Sequence, residues 1–79
     1  MNEVTWFDRM IRRRLLRAGF TPQWLSFRMG HDERWYQKTI ARWKKRGEIN
    51  VRTVFDIELA VANLEYARRR ENERKGETC

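Results

Sequence analysis

Apolar residues along this chain recur at helical spacing in three stretches. Val4, Phe7, Ile11, Leu15 and Ala18 form the first stripe, which predicts a helix over about Thr5–Ala18 with Gly19 as its terminator. Thr5, followed three residues later by Asp8, reads as a capping box with Asp in place of the usual Glu. The next helix start is the clearest local signal in the sequence. In Phe20-Thr21-Pro22-Gln23-Trp24-Leu25, Thr21 is an N-cap and Pro22 takes the first helical position, where its missing N–H costs nothing. Phe20 and Leu25 stand at the two ends of a hydrophobic staple. This predicts a short second helix over about 22–28, with Gly30 as the turn glycine.

Asp32 is placed to cap a third helix from about Glu33 to Arg46, which Gly47 ends. Its apolar stripe is Tyr36, Ile40 and Trp43; the remaining positions, Arg34, Trp35, Gln37, Lys38, Ala41, Arg42, Lys44 and Lys45, are strongly basic. A fourth helix begins near Asn50 or Thr53 and runs to about Arg70. It carries two stripes: Val54, Ile57, Val61 and Leu64, and, roughly 140–180° away, Phe55, Leu59, Ala62 and Tyr66. One stripe can face the core, and the other then needs a second partner. Residues 71–79 have no apolar periodicity and read as a disordered tail. No strand pattern, repeat or long linker interrupts the series. The fold class expected is all-α: one helical domain over residues 1–70, four helices, with a helix-turn-helix core at 20–46.

With 79 residues the chain makes one domain with a small core. Its single cysteine, Cys79, cannot form a disulfide within the chain, which suits a reducing compartment such as a bacterial cytoplasm. The stretch after Met1 has no signal-peptide pattern, and no segment approaches the ~20 apolar residues that span a bilayer, so no membrane partner is expected.

Charge changes the picture more. Lys and Arg total 18 against 11 Asp and Glu, a net charge of +7. Residues 1–47 hold 12 basic and 4 acidic side chains, whereas residues 48–79 hold 6 and 7. An excess that served solubility alone would not gather in one half, and a polyanion should dock there. Catalysis finds nothing to stand on: there is no glycine-rich phosphate loop, no metal quartet and no Ser/His/Asp set. Asp56 and Glu58 fall on different faces of the fourth helix, which suits solvation rather than paired acid–base work. His31 has no Cys or His neighbour and reads as a packing or phosphate-facing turn residue. No cofactor is expected.

Two helices that cross steeply through a tight turn need a small residue where they approach, and Ser26, four before Gly30, supplies it. Leu25 with Met29 on one helix and Tyr36 on the other are the apolar pins. Residues 15–57 thereby resemble the helix-turn-helix of the phage Cro and repressor class. In that class the second helix is followed by a G-x-S-x-R opening, which Gly30-His31-Asp32-Glu33-Arg34 matches with Asp for Ser. The spacing of Leu16-Arg17-Ala18-Gly19, Gly30, Arg34, Gly47 and Thr53-Val54 is also similar to the small anti-CRISPR-associated repressors of Pseudomonas phages. Those are homodimers that shut down their own operon at an inverted repeat. Two departures stand out: His31 replaces an apolar residue, and Gln23 and Trp24 stand where that second type carries DNA-contacting arginines.

What the resemblance implies is a sequence-specific, homodimeric double-stranded DNA-binding regulator. The second stripe, Phe55, Leu59, Ala62 and Tyr66, offers a dimer face, although spacing does not decide which of the two stripes meets the partner. Chemistry sorts the contacts. Arg34 can fork onto guanine O6 and N7, Gln37 suits adenine, Lys38 suits base or phosphate, and Trp35 suits a thymine methyl. Arg28, Arg42, Lys44 and Lys45 suit phosphate, as do Thr21 and Gln23 at the positive end of the second helix. The run Arg12-Arg13-Arg14 with Arg17 reads as a solvated face or a flanking phosphate contact, and Trp6 and Trp43 as core. An RNA or nonspecific nucleic-acid binder and a helical protein-interaction module are the competing classes. The basic charge argues against a nucleic-acid mimic.

Overall fold

The computed structural model describes the backbone of residues 3–77 and the side chains of residues 3–73. Among the described residues there are four helices and no strand: α1 (Glu3–Ala18), α2 (Pro22–Arg28), α3 (Trp35–Arg46) and α4 (Val51–Glu77). None of these helices is long and apolar enough to cross a membrane.

α2 lies against α3 and α4, and α1 packs against the same two helices. The α1 stripe of Val4, Phe7, Ile11 and Leu15 is buried, as its spacing requires, together with Leu25, Tyr36, Ile40, Trp43, Ile57, Val61 and Leu64. The helix begins two residues earlier than the capping-box reading places it, so Thr5 lies inside the first turn. Asp8 is occupied elsewhere: its Oδ1 accepts hydrogen bonds from the Tyr36 hydroxyl (2.9 Å) and from Arg12 Nε (2.8 Å). The contact with α3 takes the carboxylate that local sequence assigns to capping. Trp6 corrects a second expectation. It is 60% exposed, because it sits on the α1 face opposite the stripe, whereas Trp43 is buried with its ring 6.1 Å from that of Phe7.

The α1–α2 junction follows the sequence signals. Gly19 adopts φ +81°, which lets the Phe20 N–H reach Leu15 O (2.8 Å) and the Gly19 N–H reach Leu16 O (3.0 Å). Thr21 caps α2, its Oγ1 accepting from Trp24 N at 3.2 Å. Arg68 of α4 closes the same corner by donating from Nε to Ala18 O (2.9 Å), with its guanidinium 4.9 Å above the Phe20 ring.

α4 starts at the Asn50 cap, where Thr53 N donates to Asn50 Oδ1 (3.2 Å). It then continues through Glu77, seven residues past the expected end, so most of the expected disordered tail is helical; residues 78–79, including Cys79, lie outside the described residues. The extension needs no apolar anchor. Its Arg, Glu and Lys residues are good helix formers, and the i,i+3 pair Arg68–Glu71 at 3.3 Å supports its first turn. Loss of apolar periodicity marks where α4 leaves the core, not where it ends.

The two stripes of α4 separate cleanly. Ile57, Val61 and Leu64 are buried with Val54 packed beside them, and Arg14 of α1 forks onto Glu65 at 2.6 and 3.2 Å. Phe55, Leu59 and Tyr66 are 65%, 64% and 58% exposed, and Ala62 beside them is exposed too.

Candidate nucleic-acid interface

The junction between α2 and α3 is held by a small set of polar bonds. Gly30, with φ +81°, allows His31 N to donate to Ser26 O (3.0 Å) and Gly30 N to Phe27 O (2.9 Å), so α2 stops at once. The next residues form a turn around Asp32 rather than the first turn of α3. Arg34 N donates to Asp32 Oδ1 (2.9 Å) and Trp35 N to Asp32 O (3.1 Å). α3 therefore starts at Trp35, two residues later than expected, and Arg34 occupies the cap position without a capping side chain.

The missing cap comes from α2. Ser26 is fully buried; its hydroxyl donates to Pro22 O (3.0 Å), and its Oγ accepts from the buried Tyr36 N–H (3.1 Å). A residue picked out for its small size thus also satisfies a backbone donor at the start of the neighbouring helix. The far end of Tyr36 is tied to α1 through Asp8, so one buried residue links all three helices, its backbone N–H to α2 and its hydroxyl to α1. Its phenol is held far above its ordinary pKa of 10.0, first by burial and then by the negative charge of Asp8 and the hydrogen bond to it.

With α3 pinned in this way, its outward face is set. At 100° per residue, Arg34, Lys38 and Lys45 fall within about 40° of one another, with Ala41 beside them. All four are exposed. Gln37 flanks the row on one side and Arg42 on the other, both exposed. The structure therefore brings together Arg34, Gln37, Lys38, Arg42 and Lys45. Lys44 turns toward α1, its Nζ 4.0 Å from Asp8 Oδ2. Trp35 is half-buried at the edge of the row, stacked on His31 with ring centroids 4.1 Å apart and planes at 7°. This stack explains why an aromatic-compatible histidine stands in the turn.

The α2 residues divide. Gln23 is exposed on the flank of α2 nearer Ser26 and α3. Thr21 Oγ1 accepts from Trp24 N in the cap, which leaves its hydroxyl proton to donate outward. Arg28 lies on the opposite flank, lining a trough with His31, Asp56, Leu59 and Asn63, so it is not part of the α3 row. Sequence reasoning passed over Arg46, exposed one turn beyond Arg42 and lining a trough with it, Glu48 and Asn50. The four-residue step from Arg42 is the signal that points to it.

Compared with known protein families, curated proteins and solved structures, the chain matches none. The functional reading rests on the residues themselves.

Proposed function

We propose that this protein is a sequence-specific double-stranded DNA-binding regulator in which α2, its turn and α3 act as a helix-turn-helix. The resemblance to the Cro and repressor class suggests a phage-type repressor of its own operon, working in a bacterial cytoplasm. The observation that carries the reading is the exposed row Arg34, Gln37, Lys38 and Lys45 on a helix whose start is locked by the Ser26–Tyr36 hydrogen bond. A helix entering the major groove must hold its N-terminal side chains at fixed positions relative to the phosphates, and this lock serves that need. Nonspecific attraction to a polyanion would require the charge but not the lock.

In this reading Arg34 and Gln37 read base edges and Lys38, Arg42 and Lys45 hold phosphate, with Gln23 at the opening of α2 against the backbone. The exposed stripe Phe55, Leu59, Ala62 and Tyr66 joins two copies, placing two α3 helices on an inverted repeat with half-sites about one helical turn, ~34–36 Å, apart. Selection from a random duplex library tests the proposal and should return such a repeat. Arg34→Ala should then cost ~1–3 kcal/mol on the selected site and little on random duplex. Lys45→Ala should weaken both and flatten the salt slope by about one unit. Selection that enriches no sequence, or two variants that behave alike on both DNAs, overturns it.

A further inference from the structure

The basic half of the chain carries two basic faces, and the α3 row uses only one. Five of its arginines, Arg9, Arg12, Arg13, Arg14 and Arg17, lie on α1. Arg12 pairs with Asp8 at 2.8 Å and Arg14 with Glu65 at 2.6 Å. Arg13 and Arg17 are exposed and make no ion pair among the described residues. At 100° per residue, Trp6, Arg9, Arg13 and Arg17 fall within about 80° of one another, on the side of α1 turned away from its buried stripe. They line one shallow trough, with Met10 and Arg14 along its edge. The seam of Asp8, Arg12 and Lys44 separates this trough from the α3 row.

Trp6 is the informative member. A tryptophan 60% exposed among arginines is neither core nor simple solubilising surface. Guanidinium groups supply contacts for phosphates, and an open indole supplies a stacking platform. A duplex keeps its base faces stacked inside and offers the indole nothing to stack on, whereas every base of a single strand presents a π face.

From this we infer that the outer face of α1 is a second binding site, whose ligand is a single-stranded stretch of nucleic acid. Arg13 and Arg17, one helical turn apart, hold successive parts of the backbone, and Trp6 stacks on a base. The site is independent of the α3 row, so a regulator bound to duplex through α3 can hold a single strand at the same time.

Fluorescence anisotropy with short labelled oligo-dT and oligo-rU, beside a labelled mixed-sequence duplex, tests this on the full-length protein. The wild type should bind a single strand. The pair Arg13→Ala with Arg17→Ala should weaken that binding and flatten its salt slope by about 1.4, at ~0.7 for each phosphate left without its arginine. Trp6→Ala should weaken it between about fivefold and about 150-fold, the range one stacked base supplies, with the salt slope unchanged. Trp6→Phe keeps a ring and should retain most of the binding. All these positions are exposed, so duplex affinity should stay within about twofold of wild type. Lys38→Ala with Lys45→Ala should do the converse. Binding of either oligomer that the α1 variants weaken supports the site, and the ratio of the two wild-type affinities shows whether the ribose 2′-hydroxyl is also read. The inference is overturned if the wild type binds neither oligomer, if the α3 variants and not the α1 variants abolish single-strand binding, or if Trp6→Ala leaves it unchanged. None of these results touches the duplex selection above, so the two readings fail separately.

Discussion

Ser26→Ala is the sharpest test of how α3 is held. The substitution removes one oxygen at a fully buried position and strands the Tyr36 N–H, whose partner at 3.1 Å is that oxygen. Stranding a buried donor costs about 1–3 kcal/mol, and loss of a helix cap by itself about 0.5–2 kcal/mol. These describe the same interaction, so they overlap rather than add. Alanine is a better helix former than serine by a few tenths of a kcal/mol, which offsets a little. The net expectation is about 2 kcal/mol. A domain of this size gives up roughly 4–8 °C of Tm per kcal/mol, so the melt should drop by about 8–16 °C. The control is Thr21→Ala, which removes the α2 cap at an exposed site. There the freed Trp24 N–H returns to water, and the loss should stay at or below about 1 kcal/mol. Thermal melts followed by circular dichroism, at one fixed protein concentration because association would shift Tm, make the comparison. If Ser26→Ala lost no more than Thr21→Ala, the buried hydroxyl would be filling space and not capping α3.

Tyr36 gives a pH prediction with a definite sign. Its phenol keeps its proton in the folded state far above 10.0, while the unfolded chain loses it near that value. The stability linked to this group is therefore complete below pH 10.0 and falls as pH rises beyond it. Tyr36→Phe should remove that alkaline loss in denaturant titrations, at the cost of the Asp8 hydrogen bond at neutral pH. Glu65 runs the other way. The fork from Arg14 holds its carboxyl below the usual 4.5, so its contribution is present above that pH and lost as pH falls below it. Glu65→Gln should flatten the acid limb of the stability profile, and an unchanged limb would show that other carboxylates govern it. Leu59→Asp places a charge on the exposed stripe of α4. It should leave the melt near wild type at low concentration and give a monomer by sedimentation; a monomeric wild type at micromolar concentration rules out the dimer.

Much of the local structure is legible in the sequence because it depends on near neighbours. Thr21, Pro22 and the Phe20–Leu25 pair announce the start of α2, and Gly19, Gly30 and Gly47 end their helices with positive φ. The buried stripes of α1 and α3 follow from spacing alone, since a helix presents every third or fourth residue to one side. What sequence could not settle were side chains with two plausible uses. Asp8 looks like a local cap and instead serves Tyr36 and Arg12, a choice made by the packing of α1 on α3. Asp32 reads as the first cap of α3, but the chain needs those residues to turn, and Ser26 caps from the neighbouring helix. Trp6 lies too far round α1 for the core, although its chemistry suggests burial. The two stripes of α4 are equivalent on paper. Only the position of α1 and α2 decided that Ile57, Val61 and Leu64 go inside and Phe55, Leu59 and Tyr66 stay out, because hydrophobic burial has no direction until a partner surface exists.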